Sequence, residues 1–260
     1  MDSNVSVPVP KRTMWGTGIR EIDDAIGGFR YGRVYGFSGE TGAGATIMCT
    51  QLLVNAARHG DKGAIILTNE SKDEYLSNAG KLDFGFEEYR KASKSIVEEY
   101  YKKGMIEIIR ASERLYTLKS AAESDPRNVL AYIKKLSNEI NNILINSNVS
   151  VLAIDRATAF FLRDDYESGT MLLNSIGDRG TRDPKRIIFV TAEAGKLEYV
   201  KVSGLIELGL PDKTGTRRAT VRQMDGPHAS QFQYRITYHG ISNAQSDVKD
   251  TGSLLRRVQN

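Results

Sequence analysis

Arg33-Val-Tyr-Gly-Phe-Ser38, then Gly39-Glu40-Thr41-Gly42-Ala43-Gly44-Ala45-Thr46, then the helical pattern Thr46–Arg58, is the stretch on which the fold turns. A short β-rich run passes through three glycines into a helix. The middle eight residues satisfy G-x-x-x-x-G-K-[ST] everywhere except at the lysine, which is Ala45. In such a loop the glycines let successive backbone N–H groups converge on phosphate oxygens at the positive end of a helix dipole. Thr46 is placed to offer its hydroxyl oxygen to Mg²⁺. Gly39, Gly42 and Gly44 equally suit a plain strand-to-helix turn, and the loop alone does not choose between these readings.

Outward from the loop, short apolar runs alternate with longer helical patterns. Ala64–Thr68, Met105–Arg110, Val149–Asp155 and Arg186–Thr191 read as further strands, and about Asp125 to Asn146 reads as a long helix capped before Pro126. That alternation predicts an α/β protein with a mostly parallel sheet and crossover helices. The strands are nearly all apolar, as when both faces are covered. After Thr191 the pattern changes. Gly204–Leu210, Thr216–Met224 and Phe232–Tyr238 are expected strands joined by turns at Pro211-Asp212 and Asp225-Gly226-Pro227, an antiparallel extension on one edge. The expected organisation is a polar N-terminal segment at 1–13, one domain at 14–241 and a loose polar tail at 242–260.

A length of 260 residues with 40% apolar and 26% charged side chains supports one large domain with a real core. Cys49, the sole cysteine, excludes an intrachain disulfide and fits a reducing compartment. No apolar run approaches the roughly 20 residues that cross a bilayer, and residues 1–13 hold no signal-like apolar region. The expectation is a cytoplasmic protein with no membrane partner. His59, His228 and His239 are scattered, which argues against a structural metal site. A net charge of +4 permits nucleic-acid contact without requiring it.

The neighbouring segments choose between the two readings of the loop. Thr17-Gly-Ile-Arg-Glu-Ile-Asp-Asp-Ala-Ile-Gly-Gly-Phe-Arg-Tyr-Gly32 leads into it, and Leu67-Thr-Asn-Glu-Ser71 follows. Together they resemble the KaiC and RadA branch of the RecA superfamily of P-loop ATPases, over roughly Met14 to Ile241. The resemblance implies a RecA-like fold and ATP with Mg²⁺ as cofactor. It places Glu70 on the glutamate that activates the attacking water, Asp155 on the aspartate that holds Mg²⁺ with Thr46, and Thr191 on a γ-phosphate sensor. It also aligns Val221-Arg-Gln-Met-Asp-Gly-Pro-His228 with a segment that reaches a neighbour's nucleotide, so Arg222 joins the cofactor-binding set with residues 39–46.

Four departures cluster on that site. Ala45 replaces the lysine whose charge faces the β- and γ-phosphates. Ser71 replaces a second glutamate, and Arg156 replaces a small hydroxyl residue after the aspartate. Asp225 replaces an arginine before the glycine. Arg156 is expected to turn aside into an ion pair. The whole reads as a degenerate site that binds or formerly bound ATP, with little or no hydrolysis, acting as a regulatory or assembly module. Such a chain would pair with itself or with an active RecA/KaiC-like paralogue. A slow ATPase and a single-stranded DNA-binding recombination accessory protein are the alternatives. For the last, Lys213, Arg217, Arg218 and Arg222 form one basic cluster and Arg179, Arg182, Lys185 and Arg186 another, with Tyr166 and Tyr199 as candidate stacking residues.

Overall fold

The computed structural model describes residues 14–111, 113–162, 166–180, 186–198, 200–226 and 228–243. The terminal segments, Arg182, Lys185, Tyr199, Pro227 and most of the 163–167 loop lie outside the described residues, as do the side chains of Tyr166 and Arg179.

Among the described residues, a short pair, β1 (Met14–Trp15) with β2 (Phe29–Arg30), flanks helix α1 (Arg20–Ile26). The remaining strands form one nine-stranded sheet. In chain order these are β3 (Arg33–Gly39), β4 (Gly63–Leu67), β5 (Ile106–Arg110), β6 (Val151–Ile154), β7 (Ile187–Ala192), β8 (Gly204–Leu208), β9 (Arg217–Met224), β10 (Gln231–Thr237) and β11 (Gly240–Asn243). Their spatial order is β11-β10-β9-β8-β3-β7-β6-β4-β5. The run from β5 to β8 is parallel, and β9 to β11 add antiparallel strands on the β8 edge. Both halves of the sequence expectation therefore hold: a mostly parallel sheet and an antiparallel edge.

Helices cover both faces, and strand alternation sorts the side chains between them. Ile65, Val151, Ala153, Ile187, Phe189, Tyr35 and Phe37 face one core with helix α2 (Ala45–Arg58). Ile66, Leu152, Ile154, Ile188 and Val190 face the other, with α7 (Val129–Asn146) and α8 (Tyr166–Gly180). Helix α2 is buried from Met48 to Ala57, so it runs inside the protein rather than along its surface. Desolvation there pushes the Cys49 thiol well above its ordinary range. The long helix expected from Asp125 starts with a 3₁₀ turn, Pro126–Asn128, whose cap is the Asp125 carboxylate accepting from the Arg127 N–H at 3.0 Å.

The leader Thr17–Gly32 is a clasp. The Asp23 carboxylate accepts from the Thr17 N–H and hydroxyl, each at 2.9 Å, and from the Gly18 N–H at 3.1 Å. Asn55 of α2 donates to the Thr17 carbonyl at 2.5 Å. Gly28 has φ +90, and a Cβ there would lie 2.5 Å from the Trp15 carbonyl, so only glycine lets β1 and β2 pair. The clasp presses Trp15 and Phe29 onto Phe189, with ring centroids 6.1 and 5.0 Å apart.

The remaining helices are α3 (Lys72–Ala79), α4 (Glu87–Lys91), α5 (Ile96–Lys102) and α6 (Glu113–Ser124). Ser71, expected as a lost glutamate, is the N-cap of α3. Its hydroxyl accepts from the Glu74 N–H at 3.2 Å, and the Glu74 carboxylate accepts from the Ser71 N–H at 2.8 Å, a complete capping box. Ser71→Ala is expected to lower stability by about 1 kcal/mol, read from the denaturant midpoint. A change below a few tenths would mean the box does not hold α3.

Candidate functional site

The sheet order places the site. From β3 the chain crosses over β7 and β6 to reach β4, so a crevice opens at the carboxyl ends of these strands. The glycine loop leaves β3, Glu70 follows β4, Asp155 follows β6 and Thr191 ends β7. Residues spread along the sequence thus converge on one end of the sheet.

The three glycines and Ala43 of the loop each have a structural reason to be small. A Cβ at Gly39 would meet the Leu208 carbonyl at 2.6 Å. Gly42 and Gly44 have φ +92 and +100, which L side chains rarely adopt. Ala43 is buried, and its carbonyl accepts from the Tyr234 hydroxyl of β10 at 2.8 Å. Glu40 and Thr41 are exposed at the rim. Ala45 opens α2, whose first turn holds no acidic residue, so its dipole is free to face an anion. A cavity of about 480 Å³ lies over this loop, bounded by Gly39–Gly42, Gly44–Thr46, Arg156, Thr191, Glu193 and Arg217. The residue at position 45 faces this cavity, and it carries no charge.

Asp155 is only 4% exposed. The Thr46 hydroxyl lies 3.1 and 3.2 Å from its two oxygens, and the Thr191 hydroxyl donates to it at 2.8 Å. Burial raises its pKa, against the lowering effect of these hydroxyls and of Arg156. A desolvated carboxylate beside a threonine oxygen is a hard-oxygen donor pair that suits Mg²⁺, and Thr46 and Asp155 are the residues that would hold it. Thr191 is 2% exposed and fully engaged, since it also accepts from the Arg156 N–H at 2.7 Å. Any γ-phosphate contact would use a hydroxyl whose proton already goes to Asp155.

Glu70 lines an adjoining cavity of about 340 Å³ with Thr46, Asn69, Tyr75, Asn78, Asp155 and Arg156. Burial raises its pKa, and the nearby Asp155 charge adds to the rise. A carboxylate so placed is a stronger base than an exposed one. Acidic groups outnumber cations around the two cavities: Glu40, Glu70, Asp155 and Glu193 against Arg156 and Arg217. A polyphosphate would meet repulsion here unless a divalent cation entered with it.

Two expectations need correction. Arg156 does not turn aside: among the described residues it makes no ion pair and it lines both cavities. Its φ is +51, a strained setting for a non-glycine residue at a candidate site. The basic cluster near β9 is also not one patch. Arg222, partway along β9, donates to Glu207 through Nε and Nη2, each at 2.6 Å. Asp225 faces Arg33, the first residue of β3, at 3.6 Å, at the end of the sheet away from the glycine loop. Arg218 is exposed on the strand face opposite Arg217. Arg186 donates to the Leu144 carbonyl. Arg217, in the cavity over the glycine loop, is the residue that the sequence placed in a cluster and not in the site.

The family model of the ATPase KaiC matches residues 15–173. The chain belongs to the KaiC ATPase family. Among relatives of this KaiC-family chain, the DNA repair and recombination protein RadB of Methanococcoides burtonii is 26% identical over 247 residues, covering 85% of this chain and 94% of RadB. A KaiC-like protein of Pyrococcus horikoshii OT3 superposes with a TM-score of 0.66 at 21% identity, covering 88% of this chain and 97% of that one. In the KaiC-family chain no described helix is long and apolar enough to cross a membrane.

Proposed function

We propose that this KaiC-family chain binds ATP with Mg²⁺ weakly and turns it over little or not at all, acting as a regulatory or assembly module. Ala45 carries the proposal. The loop, its helix dipole and the Thr46–Asp155 oxygen pair are retained, while the position facing the cavity from the first turn of α2 has no charge. Phosphoryl transfer depends on electrostatic positioning of the γ-phosphate, so this loss falls mainly on turnover. The partner in this reading is a second copy of the chain or an active RecA/KaiC-like paralogue. The RadB relative, described as a DNA repair and recombination protein, supports recombination as the setting. It also favours a second reading, a single-stranded DNA-binding accessory protein. Equilibrium titration with labelled ATP, with and without Mg²⁺, tests the first reading. Saturable binding that needs Mg²⁺ is expected, and no binding at millimolar ATP would leave only a scaffold.

A further inference from the structure

Arg217 is built into the fold in a way that its place in a basic run does not explain. Along β9 the side chains alternate, and Arg217 shares a face with Ala219 and Val221, both buried in the α2 core. Its register partner on β10 is Tyr234. That tyrosine donates to the Ala43 carbonyl of the glycine loop. Two residues on, Ile236 sits so close that a Cβ on Gly44 would clash with its Cδ1. The β9–β10 pair is therefore the floor of the loop, and Arg217 rises from it into the cavity bounded by residues 39–46.

Among the described residues the guanidinium there has no counter-charge. Nε is buried without a hydrogen-bond partner, and Nη1 has only a long 3.4 Å contact with the Gly215 carbonyl. Among the described residues no carboxylate pairs with it, and burial lowers its pKa. Leaving a partly desolvated cation unpaired is unfavourable, so native proteins tolerate it where it meets an anion. Of the neighbouring basic side chains, Arg222 is held by Glu207, Arg218 points to solvent and Arg235 donates to the Thr216 hydroxyl, while Arg156 lines the same cavity from the loop after β6.

We propose that Arg217, reaching in from β9, supplies to the polyphosphate of a bound nucleotide the positive charge that Ala45 does not. The planar fork suits two phosphate oxygens where a lysine offers a point charge. Coming from the floor of the loop and not from the first turn of α2, it grips the ground state without sitting where the lysine orients the transferring group. This role rests on the nucleotide-binding reading above and gives it a specific ligand.

The test is titration of the whole chain with a fluorescent Mg·ATP analogue, alongside thermal melting without nucleotide. Arg217→Met is expected to weaken binding about 10–100-fold, the loss of a charged hydrogen bond, while Arg218→Met leaves it unchanged. Arg217→Met should also melt no lower than the parent, because an unpaired, partly desolvated cation has been removed; a purely structural arginine would lower it. Adding Ala45→Lys to Arg217→Met should restore most of the affinity. If the parent saturates and Arg217→Met binds equally well, this inference fails and the nucleotide reading stands. If the parent does not saturate at millimolar nucleotide, the nucleotide reading itself fails. Loss of single-stranded DNA binding in both arginine variants, with Mg·ATP binding intact, would assign the residue to nucleic acid and overturn the proposal. Should Arg217→Met not fold, Arg217→Lys serves: a charge role predicts partial retention of affinity, and full loss in a folded protein contradicts it.

Discussion

Ala45→Lys is expected to raise ATP turnover on the order of 10²–10³-fold, with a smaller gain in affinity. The other residues of the proposed site are in place. Thr46 and Asp155 are within 3.2 Å of each other, and Glu70 lines the adjoining cavity as a carboxylate whose burial makes it a better base. What position 45 lacks is a charge that strengthens its hold as the γ-phosphoryl group detaches. Interactions felt mainly in the transition state raise kcat, whereas those felt equally in the ground state change only binding. With Arg217 and Arg156 already lining the cavity, a new lysine should act chiefly on kcat. Glu70→Gln placed on Ala45→Lys should then remove the gained activity. A steady-state phosphate-release assay reads both. Equal turnover by parent and Ala45→Lys, either both robust or both nil, would show that the missing lysine does not limit the site.

Phe189→Ala is expected to destabilise the fold by about 3–5 kcal/mol, the cost of a large cavity in a core that cannot collapse around it. Phe189 is fully buried on β7, between β3 and β6, and its ring meets Trp15, Phe29, Tyr35 and Phe37 at centroid distances of 5.0–6.1 Å. This cluster joins the leader clasp to the strand that carries the glycine loop. Trp15 is the only tryptophan, so its fluorescence reports the cluster directly during denaturant unfolding. A loss under 1 kcal/mol, with an unchanged tryptophan spectrum, would mean that the leader does not pack there.

What the sequence made legible was local. The β3–loop–α2 unit is contiguous in the chain and marked by glycines whose backbone requirement is strict, so its strand and helix could be read to within about a residue. Asp155 was visible because it ends an apolar run, and Glu70 because it follows one. The leader was recognisable as a pattern, yet its physical role, Asp23 gathering Thr17 and Gly18 beneath α2, depends on hydrogen bonds that no periodicity reveals. Ser71 carried a readable signal, a serine followed three residues later by Glu74, that was hidden by the expectation of a second glutamate.

The places of Arg156 and Arg217 lie beyond the sequence for a different reason. Whether a basic residue pairs, faces solvent or lines a cavity depends on which strands lie beside it. For Arg217 that depends on β9 pairing with β10 and on Tyr234 reaching the loop carbonyl. For Arg156 it depends on a left-handed backbone that follows β6 and is pinned through its N–H to Thr191. Charge runs in a sequence say nothing of strand face, and here alternation sends Arg217 and Arg218 to opposite sides.

The proposed phosphate site keeps its grip and has lost its drive. Its most direct test is one preparation of the unaltered chain, measured for labelled ATP binding and for phosphate release at the same Mg²⁺ and nucleotide concentrations. Saturable, Mg²⁺-dependent binding with turnover at or near background is the expected result. Robust hydrolysis by the chain with Ala45 in place would contradict it.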